Sequence, residues 1–232
     1  MQNVEPVVEG EFPRLIVMLT YNDMTVNDAE EVFLHCKDSK AKCWGFKEAP
    51  LPIEKMKRLY SKMKECGKTT FLEVVAYSEE EGLEGARIAR ECGCDCLMGT
   101  KFHDSILRLC KEAGIKYLPF VGTIEGRPSV LKGSISEIVK EANAVISKGA
   151  DGIDLLGYRY EGDPEKLNRA VVEEVEAPVC IAGSIDSFER LGQVKNAAPH
   201  SFTIGSAFFD KKFGDDFATQ INTVCDFIES AK

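Results

Sequence analysis

Eight short apolar runs alternate along this chain with eight segments of helical periodicity. The runs occupy residues 14–21, 42–47, 69–76, 94–100, 116–121, 152–157, 178–182 and 201–205, and are rich in Val, Ile, Leu and Phe. Several are apolar at both odd and even positions, as a strand covered on both faces requires. The segments between them carry start and stop signals. Asn27 or Asp28 opens the first helix, and Pro52 stands near the start of the second, which ends at Gly67. Ser78 with Glu81, and Ser134 with Glu137, read as capping boxes, while Gly93, Gly114 and Gly149 close the third, fourth and fifth helices. Asp163-Pro164 and Ser187 open the next two, and a last helix covers 215–231.

Alternation of this kind builds a parallel sheet with right-handed crossovers. Eight complete units favour a closed sheet over an open doubly wound one. The expected fold is therefore α/β, a single (β/α)8 TIM barrel over 14–232, preceded by an N-terminal extension over 1–13. The connection 122–133 follows the fifth strand at the catalytic end and is long enough to act as a mobile lid.

The last two strands each stop at Gly-Ser. Val179-Cys180-Ile181-Ala182 runs into Gly183-Ser184, and Phe202-Thr203-Ile204 runs into Gly205-Ser206. Two bare-backbone corners one βα unit apart suit an anion, and in a barrel this position holds phosphate. Gly183, Ser184, Gly205 and Ser206 are the expected phosphate-binding residues. Taken singly, each is also an ordinary strand-end turn.

Charged residues inside barrel strands must face the interior or the rim, where burial makes them candidates for chemistry. Lys47 follows the aromatics Trp44 and Phe46 on the other parity and so points inward, with Glu48 at the rim. Glu73 lies between Leu72 and Val74, and Asp154 between Ile153 and Leu155. Lys101 ends the fourth strand, with His103 just beyond, and Asp23 follows the first. This set suits proton transfer beside a carbonyl, where a base removes the proton and a cation steadies the enolate. Glu73 and Lys101 form the expected base and acid pair, Lys47 the stabilising cation and Asp154 a fourth catalytic candidate. Glu73 with Lys47 also reads as a mere ion pair closing the barrel.

A net charge of −9 disfavours nucleic acid or an anionic membrane as partner, yet leaves a phosphorylated small molecule open, because local groups decide its binding. No apolar run approaches the roughly 20 residues of a bilayer span. Residues 1–14 are acidic and lack the basic and apolar regions of a secretory signal. Nine cysteines are then expected as free thiols in a reducing, cytoplasmic setting. The cluster Cys92, Cys94 and Cys96 lacks the paired C-x2-C spacing of structural zinc, so no metal and no cofactor are expected.

Over 177–208 the chain resembles the ribulose-phosphate-binding barrel superfamily, which includes sugar isomerases of histidine and tryptophan biosynthesis and N-acetylmannosamine-6-phosphate 2-epimerase. The resemblance implies phosphate at Gly183, Ser184, Gly205 and Ser206, and isomerisation or epimerisation by acid–base proton transfer. Residues 97–123 are similar to the 2-keto-3-deoxy-6-phosphogluconate aldolases, which implies an alternative lyase using Lys101 or Lys47 as a Schiff-base amine. Those aldolases place that lysine on strand six, where this chain has Asp154, and Ala182 stands where the epimerase has an acid. A barrel that binds a sugar phosphate without turnover is the third reading. Similar barrels are commonly dimers, which leaves a homodimer open.

Overall fold

The computed structural model describes residues 13–230. All but one residue of the expected 1–13 extension lies outside them. Eight parallel strands close into a barrel: β1 (Arg14–Met18), β2 (Cys43–Lys47), β3 (Thr69–Ala76), β4 (Cys96–Lys101), β5 (Lys116–Phe120), β6 (Ile153–Leu155), β7 (Val179–Ile181) and β8 (Ser201–Ile204). Closure comes from β1, which pairs with β2 on one side and β8 on the other. The helices α1 (Ala29–Cys36), α2 (Ile53–Glu65), α3 (Glu79–Cys92), α4 (Asp104–Ala113), α5 (Ile135–Ser147), α6 (Pro164–Glu174), α7 (Phe188–Ala197) and α8 (Phe217–Glu229) surround it. The chain is thus a TIM barrel, as its pattern implies.

The caps behave as their residue types dictate. Ser134 and Glu137 make a full reciprocal capping box, whereas the Ser78 hydroxyl accepts from Glu81 N without a return bond to its own backbone amide. Asp163, Ser187 and Asp216 cap α6, α7 and α8 with their side chains.

Two apolar layers follow from strand parity. Trp44, Phe46, Leu72 and Tyr117 pack outward under the helices. Ile16, Met18, Cys43, Phe71, Cys96, Met98, Leu118 and Cys180 fill the barrel itself. Lys47, Glu73 and Asp154 share the inward parity of this second set. Lys47 and Glu73 are register partners on neighbouring strands, so their side chains leave the sheet at one level. A bulge in the β3–β4 ladder accompanies Gly99, whose φ is +93°. A Cβ there would come within 2.9 Å of Glu73 Cγ, so glycine makes room for the Glu73 stem.

Two departures from the sequence reading shape the mouth. The first run does not continue to residue 21. It breaks after Met18, and Thr20–Tyr21 turns back against Met24–Thr25 as a tiny antiparallel ribbon. Asn22 and Asp23 form its tip at φ 49° and 63°, the conformation that two-residue hairpins need and that Asn and Asp tolerate. The 122–133 connection is likewise ordered, as a hairpin of Thr123–Glu125 and Val130–Lys132. Tyr77 pins its tip, bonding to Gly126 O at 3.1 Å and Ser129 Oγ at 2.7 Å. Tyr160 holds its far end by donating to Gly133 O at 2.8 Å.

Candidate active site at the barrel mouth

The two Gly-Ser corners meet in one cavity. After β7, Gly183 and Ser184 both take positive φ, 86° and 49°, which bends the chain away from the barrel. After β8, Gly205 precedes a single helical turn, Ser206–Phe209. A Cβ on residue 205 would stand 2.5 Å from Thr20 Oγ1, so only glycine lets β8 pass this close to the mouth ribbon. Ser206 Oγ accepts from Asn22 N at 3.1 Å, which ties the same ribbon to the second corner. All four corner residues line a cavity of about 350 Å³, shared with Met18, Thr20, Asp23, Lys47, Glu73 and Arg159. That volume lies within the range of small-molecule sites.

A chain of alternating charges crosses this cavity. Arg159 holds Asp23 with two bonds of 3.0 and 3.3 Å. Asp23 Oδ1 in turn accepts from Lys47 Nζ at 3.1 Å, and Lys47 lies 3.6 Å from Glu73 Oε1. Burial works to raise the Asp23 pKa, but Arg159 and Lys47 outweigh it and hold this carboxyl below its usual range. Burial likewise works to lower the Lys47 pKa; Glu73 and Asp23 outweigh it and keep the ammonium above its ordinary value. Lys47 is therefore a fixed cation in this arrangement, with no neutral amine to offer. The wall also carries Asp186, paired to Arg190 at 3.0 Å, and Asp210. Carboxylates thus outnumber cations around the cavity, and an incoming dianion must compete with Asp23 for Arg159.

Asp154 sits beneath this array. It is fully buried, and neither carboxyl oxygen has a hydrogen-bond partner. Burial, reinforced by Glu73 and partly opposed by Lys47, pushes its pKa well above the carboxylate range. A carboxyl in that setting favours its protonated form.

Of the residues singled out from sequence, Lys47 and Glu73 are brought together on the cavity wall with the four corner residues. Asp154 lies below them in the barrel interior, outside the wall. Lys101 is not brought to the cavity. Its Nζ donates to Gly122 O at 2.8 Å and pairs with Glu141 Oε1 at 2.7 Å. Glu141 also accepts from Gly122 N, so this pair clamps the root of the hairpin. The reason is positional: Lys101 is the last residue of β4, past its bulge, where the partner within reach is α5. His103 caps α4 without a side-chain bond and stands 3.9 Å from Glu79.

Arg159 escaped the sequence reading because it lies just after β6 in a short 3-10 turn, Gly157–Arg159, which carries no motif. Its Cγ packs over Gly183, within 2.8 Å of where a Cβ would be. Asp23 was legible as a polar residue after the first strand, whereas the ribbon that carries it was not. Among the described residues no cluster of three or more His, Cys, Asp or Glu is arranged to hold a metal, and no helix is long and apolar enough to cross a membrane. The nine cysteines form no disulfide.

No protein-family model and no curated protein sequence matches this chain. Solved structures do. Orotidine 5'-phosphate decarboxylase from Pyrococcus horikoshii OT3 superposes with a TM-score of 0.70 at 13% identity, covering 94% of this chain and 100% of that one. N-(5'-phosphoribosyl)anthranilate isomerase from Pyrococcus furiosus gives 0.65 at 14%, covering 93% and 98%. N-acetylmannosamine-6-phosphate 2-epimerase from Clostridium perfringens gives 0.61 at 13%, covering 84% and 86%. These structures share the TIM-barrel architecture of this chain, and at these identities the likeness concerns the fold alone.

Proposed function

We propose that this barrel is a cofactor-independent isomerase or epimerase of a small phosphorylated sugar or keto acid. One observation carries the reading: a single cavity is walled by both Gly-Ser corners and by the Lys47–Glu73 pair. The phosphate would lie against Gly183, Ser184, Gly205 and Ser206. Arg159, already packed on Gly183, would leave Asp23 to meet it, since a bidentate guanidinium suits phosphate as well as carboxylate. The reacting carbon then faces Lys47 and Glu73. Glu73 removes the proton, Lys47 steadies the enolate oxygen, and Asp154 below holds a proton in reserve.

The lyase alternative needs a neutral amine to attack a carbonyl. Asp23 and Glu73 keep Lys47 charged, and Lys101 lies outside the cavity, so the geometry favours proton transfer. Two measurements on the same preparation separate the readings. Incubation with phosphorylated keto acids and sugars in D2O is expected to wash deuterium into one substrate carbon. Borohydride trapping followed by mass measurement is expected to leave the protein unmodified. A reduced lysine adduct would establish the lyase, and neither exchange nor adduct with any phosphosugar would point to a pure binder.

Ser184→Asp tests the phosphate corner. Aspartate tolerates the positive φ at this position, so the backbone is preserved. Two unit charges 4 Å apart repel by about 4 kcal/mol at an intermediate dielectric, enough to raise KM at least about 30-fold with kcat little changed. Steady-state kinetics on whichever phosphosugar exchanges deuterium would check it, and an unchanged KM would remove phosphate from this corner.

A further inference from the structure

A second cavity of about 250 Å³ opens on the far side of Lys47 from the Gly-Ser corners. It shares Asn22, Asp23, Lys47, Pro128 and Ser129 with the first, so the two are lobes of one site divided by the charged pair below and the hairpin tip above. Met24, Ala49 and Val75 supply apolar wall, and Arg127 roofs it, donating from Nη2 to Val75 O at 3.1 Å. Its carboxyl groups are Glu48 and Asp23. Glu48 Oε2 is shielded from solvent and has no hydrogen-bond partner, a state that buried acceptors rarely keep in the absence of a ligand.

We infer that this second lobe binds the neutral, hydroxyl-bearing tail of the substrate, with Glu48 as the acceptor that selects it. The inference rests on the phosphosugar reading above and adds which end of the molecule lies where. The lobe's chemistry narrows the tail. An ammonium would face Lys47 and Arg127, and a second anion would face Glu48 and Asp23. Hydroxyl groups meet neither penalty. They donate to a carboxylate with two lone pairs on each oxygen, while the C–H faces of the carbon chain rest on Met24, Val75 and Pro128. Burial, helped by the nearby Glu73, holds the Glu48 carboxyl above its ordinary pKa against the opposing pull of its own backbone amide, Lys47 and Arg127. With phosphate in one lobe and the tail in the other, the carbons between them pass over Lys47. A longer polyol phosphate then has carbon chain to place in the second lobe, which a short one such as glycerol 3-phosphate lacks.

Calorimetric titration of the full chain with inorganic phosphate, glycerol 3-phosphate and ribitol 5-phosphate tests this assignment. Ribitol 5-phosphate is expected to bind about ten-fold or more tightly than glycerol 3-phosphate, the effect of one or two hydrogen bonds to a charged acceptor. In Glu48→Ala that advantage is expected to shrink to about three-fold or less, with glycerol 3-phosphate affinity kept as the control for folding. Glu48→Gln, which retains one carbonyl acceptor, is expected to fall between. If glycerol 3-phosphate binds but the longer ligand gains nothing, or keeps its gain in Glu48→Ala, the tail subsite is wrong and the phosphate corner stands. If none of the three phosphates binds, the phosphosugar reading fails and takes this assignment with it.

Discussion

Lys47→Met is expected to reduce kcat by about a thousand-fold or more while leaving phosphate affinity nearly intact. Removing one preorganised charge from a developing oxyanion typically costs two to three orders of magnitude, and losing the cation that holds Glu73 in place adds to that. The same substitution has a structural consequence that must be read separately. Lys47 is 8% exposed and is the cation facing Glu73, so methionine leaves that carboxylate without its partner. Breaking a buried pair from one side costs about 3–5 kcal/mol; here the cavity admits water to Glu73, and the loss should be at the low end of that range or less. Asp23 retains Arg159, which limits the damage further. Deuterium exchange, kcat and a thermal melt measured together distinguish the effects. Full exchange activity per folded molecule, beside a lowered Tm, would make Lys47 a structural ion-pair residue and end the enolate proposal.

Asp154→Asn is expected to stabilise the barrel at neutral pH while slowing turnover. The folded-state pKa of Asp154 lies above 3.8, so the native chain keeps a proton that the unfolded chain has already released. Wild-type stability therefore falls as pH rises from about 4 towards the folded pKa. Asparagine has nearly the same shape and no such proton to lose, so the variant escapes this penalty. Each unit of upward shift is worth about 1.4 kcal/mol, or about 3–6 °C of Tm in a chain of this size. The difference between variant and wild type should be largest near pH 7 and vanish near pH 4. Turnover should fall roughly 10- to 100-fold, with the alkaline limb of the pH–rate profile moved or lost. A melting difference that ignores pH, with kinetics unchanged, would show that Asp154 neither holds this proton nor serves the reaction.

Arg159 and Asp23 add a charge pair to the mouth that the Gly-Ser corners do not describe by themselves. One guanidinium and one ammonium both engage Asp23. An arriving phosphate that recruits Arg159 leaves Asp23 with Lys47 alone. On the proposed reading, the strength of the Lys47–Asp23 contact then depends on whether substrate is bound.

The sequence by itself determined the barrel. Eight two-faced apolar runs, each followed by a capped helix, admit few other ways to bury that surface, and the inward parity of Lys47, Glu73 and Asp154 follows from the two-residue strand repeat. It also marked both Gly-Ser corners, because Gly-Ser at a strand end is a local matter of backbone freedom. Contacts between distant segments were decided only in three dimensions. Lys101 and Lys47 look alike as strand-end lysines. A bulge and the reach of Glu141 turn the first outward, whereas register with Glu73 and the tip of the Asn22-Asp23 ribbon hold the second over the mouth. Arg159 and Glu48 have no local motif at all. Their surroundings come from β1, β3, β7 and the 122–133 hairpin, brought beside them by closure of the sheet, and charge pairing across such separations depends on distances that one-dimensional spacing does not encode.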